Sequence, residues 1–133
     1  LNPVKRSAVP DDARLYRVEP YVLAADIYAG DTLAGRGGWT WYTGAAGWYY
    51  RAVLECVLGI RIIGDTLTIA PCVPPEWQDF EVVLKQPQID YVIRMKRGNA
   101  ADVGLFVDGE RVAGESFPLH RDALRHVVEI NLA

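Results

Sequence analysis

The stretch that decides the fold is residues 45–69, AAGWYYRAVLECVLGIRIIGDTLTI, because the hydrophobic pattern changes its period within it. From Ala45 to Leu58 the chain is apolar on nearly every face, apart from Arg51 and Glu55 one turn apart, which predicts a helix buried among other helices. Much of the packing around such a helix has to come from outside this chain. After Gly59 the pattern is that of β-strands.

Two more helices are predicted in the first half. Pro10–Tyr16 opens on Pro-Asp-Asp, which suits a first turn because the helix dipole favours acidic side chains there. Glu19–Tyr28 is rich in helix-forming residues, and Pro20 is tolerated in a first turn; the glycine at position 30 ends it.

The second half predicts a series of short strands. A Gly-Asp pair between two β-rich runs predicts a hairpin over Arg61–Ile69. In Tyr91–Lys96 the side chains of Tyr91, Ile93 and Met95 alternate with those of Val92, Arg94 and Lys96, which predicts a strand with the first set on a buried face and the second on a wet face. The remaining strand candidates are Phe80–Leu84, Val103–Val107, Arg111-Val112 and His126–Leu132. The expected fold class is therefore α+β, with a helical segment over residues 1–58 and an antiparallel β-sandwich, similar to a jelly roll, over residues 59–133.

Composition and charge exclude several classes of partner. The 133 residues carry a net charge of −3 and no basic stripe or basic amphipathic helix, so neither nucleic acid nor a membrane surface is an expected partner. The longest apolar run, Trp48–Ile63, is interrupted by three charged residues and is too short to span a bilayer. The chain starts at Leu1, and we expect it to be a soluble C-terminal fragment of a larger protein.

Cysteine and histidine indicate neither a metal site nor a catalytic base. Cys56 and Cys72 stand sixteen residues apart with no second pair, so we expect free, buried thiols and no bound metal. His120 and His126 lie in polar sequence in the strand half, and we expect both to be exposed.

The segment Gly35–Trp48 is where a functional site is expected, since it holds five glycines and three tryptophans in fourteen residues. Thr43 is a natural N-cap, and small residues follow it, so an anion such as phosphate could reach the unpaired amides of Thr43 and Gly44, with Arg36 as a second contact. The alternative is an ordinary capped helix and a surface arginine.

The tryptophans of this segment suit a sugar. Trp39 and Trp41 share one side if the chain is extended there, and their rings could stack on pyranose faces; the alternative for both is packing in a core. For Trp48, inside the apolar helix, core packing is the prediction.

No catalytic residue is predicted in this chain. Glycoside hydrolysis usually needs two carboxylates placed across the bond, and the acidic residues of the helical half form no recognisable pair: Glu19, Asp26, Asp31 and Glu55.

Four motifs together resemble the end of glycoside hydrolase family 94. They are LNPV at Leu1–Val4, YRVEPYV at Tyr16–Val22, the glycine-tryptophan segment Gly35–Trp48, and IAPCVP at Ile69–Pro74, followed by Trp77. The family contains cellobiose and chitobiose phosphorylases and the phosphorylase-like part of cyclic β-1,2-glucan synthase, and the run GRGGWTWYTG looks closer to the glucan synthase branch. At Arg6 and Leu33 the chain departs from histidines common in the family.

The resemblance implies an (α/α)6 barrel whose last helices are residues 1–58, followed by a jelly-roll domain. Thr43 and Gly44 match the family's phosphate-contacting Thr-Gly, while the catalytic acid lies upstream, so the fragment alone is expected to be inactive. The implied partners are a β-glucan or oligosaccharide, inorganic phosphate and the upstream barrel, with no cofactor, a cytoplasmic location and possible self-association. The alternative function is a noncatalytic carbohydrate-binding or barrel-capping module.

Overall fold

The computed structural model describes residues 2–87, 89–98, 103–122 and 124–132. It divides the chain into two compact units, Leu1–Ala52 and Val53–Ala133. The helical residues thus fall largely in the first unit and the strands in the second. The domain boundary at residue 58 and the (α/α)6 barrel stay predictions.

Three α-helices form the regular part of the first unit: α1 (Pro3–Arg6), α2 (Pro10–Tyr16) and α3 (Thr43–Ala52). The prediction for α2 is confirmed, with Pro10 in the first turn and Tyr16 buried at the other end. Helix α1 was not predicted. It begins after Asn2, whose side-chain oxygen accepts a hydrogen bond from the Val4 amide at 3.0 Å, as an N-cap does.

The predicted helix over Glu19–Tyr28 is wrong. Its second half pairs instead with the glycine-rich segment as an antiparallel ladder, with an isolated bridge between Ile27 and Gly37. The Ala25 amide donates to the Trp39 carbonyl at 2.8 Å, and the Tyr28 amide donates to the Arg36 carbonyl at 2.9 Å. Hydrogen bonds to a segment ten residues away therefore replace the local bonds of a helix, because helix propensity is weak beside tertiary contacts.

Helix α3 confirms the predicted apolar helix, which continues as a π-helical turn, Val53–Val57, at the start of the second unit. None of the described residues of α3 is buried. Trp48 is 70% exposed and lies beside the guanidinium of Arg51, 5.2 Å from the ring centre, so the prediction of core packing for Trp48 is wrong for this chain. The side chains that this helix was expected to pack against are not supplied by its own unit.

Two sheets form the second unit. A three-stranded sheet has the order β1-β2-β7, from strands β1 (Ile60–Ile63), β2 (Thr66–Ile69) and β7 (Ser116–Pro118). A five-stranded sheet has the order β3-β4-β8-β5-β6. Its strands are β3 (Asp79–Gln86), β4 (Ile89–Arg97), β5 (Gly104–Val107), β6 (Glu110–Val112) and β8 (Arg125–Leu132).

Most of the predicted strands are confirmed, as is the predicted β1–β2 hairpin, and a second two-residue turn joins β5 to β6. In the β1–β2 turn Gly64 has a φ of 57°, and in the β5–β6 turn Asp108 and Gly109 have φ values of 51° and 87°. Positive φ at such positions matches the right-handed twist of the flanking strands. Strand β7 was missed because it has three residues and ends on Pro118, which disfavours a strand assignment.

The sandwich is antiparallel with one exception. Strand β4 pairs with β8 in parallel, from Asp90 opposite Arg125 to Arg97 opposite Leu132, so the expectation of a wholly antiparallel arrangement is wrong. Parallel neighbours need a long connection, and here β5, β6 and β7 separate the two strands in the sequence.

The core of the second unit lies between its sheets. Leu67 and Phe117 of the small sheet and Tyr91, Ile93 and Met95 of β4 belong to one buried cluster. The alternation predicted for β4 is confirmed at these three positions and at Arg94 and Lys96, which are exposed. It is wrong at Val92, which was expected on the wet face and is buried.

The prediction of buried thiols is wrong. Cys56 and Cys72 are free, as expected, but both are exposed. Cys56 lies on the π-helical turn, and Cys72 follows β2 in irregular structure; its amide donates to the Val57 carbonyl at 2.8 Å. Neither position faces the core between the sheets.

Candidate functional site

The glycine-tryptophan segment forms one side of the ladder in the first unit. Arg36 lies near the turn that closes the ladder, opposite Tyr28, and Trp39 lies farther along, opposite Ala25. Helix α3 begins at Thr43, beyond the open end. Arg36 therefore lies at the end of the ladder that is farther from the start of α3. The two tryptophans lie nearer to the start of α3.

The two tryptophans lie in separate aromatic pairs. Trp39 tilts against Tyr42, with ring centres 5.5 Å apart, and Trp41 forms a T-shaped pair with Tyr21, with ring centres 6.4 Å apart. Trp41 has a φ of 61°, so the chain is not extended there and the condition for both rings to share one side is not met. The rings are 72% and 69% exposed, so core packing is excluded for both within the described structure.

A carboxylate anchors the second of these rings. The indole N–H of Trp41 donates to Oε1 of Glu19 at 3.1 Å. The pKa of Glu19 is lowered by a hydrogen bond from its own backbone N–H, then by the bonds from Trp41 and Thr40. Glu19 is therefore a carboxylate at neutral pH, and the bond to Trp41 is charge-assisted.

A small cavity of about 210 Å³ lies between the aromatic loop, residues 39–42, and the first turns of α3. It is lined by Tyr21, Val22, Leu23, Trp41, Tyr42 and Ala46. Gly44 is exposed at the start of the helix, and the Ala45 amide donates to the Tyr42 carbonyl at 3.0 Å. The side chain of Thr43 lies outside the described residues, so its predicted cap and phosphate contact stay predictions.

A second polar cluster, in the β unit, contradicts the prediction that both histidines are exposed. His126 is buried, with its side chain 9% exposed, and His120 stacks on it with ring centres 4.1 Å apart. Nδ1 of His126 lies 2.5 Å from Oδ2 of Asp108, and Nε2 lies 3.0 Å from Oδ1 of Asp122. The Tyr91 hydroxyl accepts a hydrogen bond from the His120 amide at 2.8 Å.

This geometry favours the protonated form of His126. Both ring nitrogens face carboxylates, and both donate only when the imidazole is doubly protonated. Burial lowers the pKa of His126, but the hydrogen bonds to Asp122 and Asp108 outweigh burial and the pKa is raised. Little in the sequence indicates this arrangement, because Asp108 is eighteen residues away and belongs to a different turn.

The sequence of the first unit matches a known family. Residues 1–59 match the profile of the glycosyl hydrolase 94 superfamily, catalytic domain. Residues 1–59 belong to this family. The match covers α1, α2, the aromatic loop and α3, and thus every residue of the candidate site.

Curated members of family 94 share a longer part of the chain. Cyclic beta-(1,2)-glucan synthase NdvB of Rhizobium meliloti is 58% identical over 85 residues, which is 64% of this chain and 3% of that protein. Solabiose phosphorylase of Paenibacillus borealis is 33% identical over 119 residues, 86% of this chain and 15% of that protein. N,N'-diacetylchitobiose phosphorylase of Vibrio furnissii is 37% identical over 98 residues, which is 71% of this chain and 12% of that protein.

These relatives are much longer than the chain, which spans between 3% and 15% of their lengths. An alignment of 119 residues necessarily extends past residue 59 into the strands, so the β unit is also shared with a family 94 protein. None of the helices in the described part of the chain has the length and apolar character that crossing a membrane requires.

Proposed function

We propose that the chain is part of a family 94 enzyme acting on β-linked glucans, of the cyclic β-1,2-glucan synthase or disaccharide phosphorylase type. Within it, the first unit supplies the sugar and phosphate side of the active site. The observation that carries this proposal is the cavity shared by Trp41, Tyr42 and Ala46, since it puts exposed aromatic rings next to a helix N-terminus.

The aromatic loop supplies the sugar contacts in this proposal. Trp39 and Trp41 expose most of their rings, and aromatic faces suit the apolar C–H face of a pyranose. Because the two rings lie in different pairs, they would contact different sugar residues or opposite sides of one site, rather than form one flat platform.

The start of α3 supplies the anion contacts. A helix N-terminus carries unpaired amides and a partial positive charge, and Gly44 has no side chain to keep phosphate away. Thr43 and Gly44 are proposed to bind inorganic phosphate. Arg36 is proposed as an additional contact, reached by its long exposed side chain from the far end of the ladder.

The catalytic acid is proposed to lie elsewhere in the parent protein, so the isolated chain would be inactive. A cytoplasmic location is likewise a prediction. The β unit is a weaker candidate for binding sugar, since Tyr91 and Phe117 are buried and Phe80 and Phe106 are half-buried. This favours the interpretation of the chain as part of an enzyme over that of a dedicated carbohydrate-binding module. The role that remains for the β unit is to cap the barrel.

The experiment that tests this function is release of glucose 1-phosphate from β-1,2-gluco-oligosaccharides by the parent protein, with and without inorganic phosphate. Phosphate-dependent release supports phosphorolysis, and redistribution of chain lengths without release supports transglycosylation. If the parent protein catalyses neither of these reactions, on these substrates or on disaccharides, the proposal is contradicted.

Thr43→Ala in the parent tests the anion contact separately. Losing one hydrogen bond to phosphate should weaken phosphate use by about 1 to 3 kcal/mol in kcat/KM. Ser at the same position retains the hydroxyl and serves as the control. Unchanged kinetics for phosphate in Thr43→Ala would exclude Thr43 from the site.

A further inference from the structure

Trp41 is an exposed ring that its surroundings hold in one direction. With 69% of the residue exposed, packing by itself leaves the indole free to change rotamer. The ring planes of Tyr21 and Trp41 are inclined at 71°, with ring centres 6.4 Å apart, so Tyr21 is not stacked flat on the indole. The contact that specifies the direction is the hydrogen bond from the indole N–H to Glu19, 22 residues earlier in the sequence.

The backbone of Trp41 has an unfavourable conformation that other contacts must stabilise. Its φ of 61° places a large, non-glycine residue in the left-handed region, which is costly unless neighbouring groups hold it there. The hydrogen bond to Glu19 ties the Trp41 side chain to a different segment of the chain, and thereby holds the loop at this residue. Without that anchor the loop is free to relax to an ordinary backbone conformation.

We propose that Glu19 is a positioning residue, whose carboxylate holds the indole of Trp41 so that its face is presented to the sugar. The proposal rests on the proposed function in one respect, that Trp41 contacts the sugar. Glu19 itself is not a catalytic residue here, because its oxygen is directed to the indole N–H. The role predicts that the geometry of the acceptor matters more than its charge.

The first test is spectroscopic and uses the 133-residue chain. The indole N–H resonance of Trp41 is assigned by its loss in Trp41→Phe and then followed in Glu19→Ala and Glu19→Gln. We expect Glu19→Ala to move this resonance, and Glu19→Gln, which keeps an acceptor oxygen, to restore most of it. The indole resonances of Trp39 and Trp48 report on the rest of the first unit, and Glu76→Gln is the matched control for loss of an exposed carboxylate. A Trp41 resonance unmoved in Glu19→Ala overturns the proposal.

The second test is kinetic and uses the parent protein with β-1,2-gluco-oligosaccharide. We expect Glu19→Ala to raise KM for the oligosaccharide at least fivefold with little change in kcat, and Glu19→Gln to lie within about twofold of the wild type. Trp41→Phe should raise KM at least as much as Glu19→Ala.

Different results would contradict the sugar contact of Trp41 and the positioning role of Glu19. If Trp41→Phe has the wild-type KM, Trp41 does not contact the sugar, and the sugar side of the proposed function is overturned together with the role of Glu19. If Trp41→Phe is impaired and Glu19→Ala is not, the sugar contact stands and the positioning role is wrong.

Discussion

At the scale of single residues, His126 is the position where the stability of the second unit depends most on charge. It is the one described polar residue that is buried, and it is held by Asp108 from the β5–β6 turn and Asp122 from the segment before β8. His120 and Tyr91 complete its surroundings. Removing one partner of such a group leaves a buried charge less compensated, which costs more than the bond itself contributes.

This arrangement predicts that the second unit loses stability as the pH rises above neutrality. The pKa of His126 is raised above its ordinary 6.5, so the stabilisation is full below 6.5 and is lost as the pH rises through the folded pKa. The pKa values of Asp108 and Asp122 are lowered below 3.8, so their stabilisation is present above 3.8 and lost in stronger acid. The free energy of unfolding should therefore be highest between about pH 4 and pH 6.5.

Urea unfolding at about pH 6 and pH 9 measures this effect, and stays below the range where Tyr91, whose pKa is raised by burial, begins to ionise. His126→Gln should flatten the dependence, and His120→Gln, as the matched control, should retain it. Asp108→Asn should cost about 1 to 2 kcal/mol at pH 6, a range for losing a hydrogen bond to a charged group that is partly exposed. A wild-type unfolding free energy equal at both pH values would contradict the assignment of His126 as a cation.

At the scale of elements, the connection from the π-helical turn to β1 depends on Gly59. Its φ is 68°, and a Cβ there would overlap the backbone carbonyl of Ala70. The Ala70 amide donates to the Gly59 carbonyl at 3.0 Å, so the two backbones pair at this point and cannot separate without losing that bond. The atoms that exclude a side chain at position 59 thus belong to the backbone of Ala70. A backbone moves aside less readily than a side chain does.

Gly59→Ala is accordingly predicted to destabilise the second unit far more than Gly64→Ala. Both glycines have positive φ, so both substitutions add backbone strain of about 1 kcal/mol, but a Cβ at Gly64 would meet no atom within 4 Å. The difference between them isolates the steric overlap, for which we expect a further 1 to 3 kcal/mol or so. Chemical denaturation of both variants gives the comparison, and equal losses would mean that the backbone of Ala70 moves aside.

At the scale of the whole molecule, the two units differ in how much apolar surface they bury. Among the described residues of the first unit, Tyr16, Val22 and Ala24 are the buried hydrophobic ones, whereas the second unit has a continuous core between its sheets. Large apolar side chains are instead exposed in the first unit, including Trp39, Trp41, Trp48 and Tyr50. Exposed apolar surface of this extent is typical of an interaction surface.

The isolated chain is therefore predicted to self-associate through α3. Sedimentation velocity over a range of concentrations should show a weight-average mass that rises with concentration. Trp48→Glu should reduce the association by about tenfold or more, since it introduces a charge at a residue that is 70% exposed. Ile63→Glu, at an exposed apolar residue of the β unit, is the matched control, and association that depends on Ile63 and not on Trp48 would place the contact elsewhere.

Much of the fold followed from local patterns. The strands of the second unit and their two-residue turns were predictable, because alternation and glycine at a turn act within a few residues of the chain. The start of α2 and the apolar helix were predictable for the same reason. The sequence puts Trp39, Trp41 and Thr43 in one segment, but no local pattern indicated the positive φ of Trp41.

The remaining features depend on residues that are far apart in the sequence. The ladder between residues 25–28 and 35–39, the bond from Trp41 to Glu19 and the burial of His126 between two aspartates are all tertiary contacts. Local residue patterns were enough to predict the strands, the apolar helix and the family resemblance. The direction in which Trp41 faces and the raised pKa of His126 could not be predicted in this way, because both depend on carboxylates that only folding brings close.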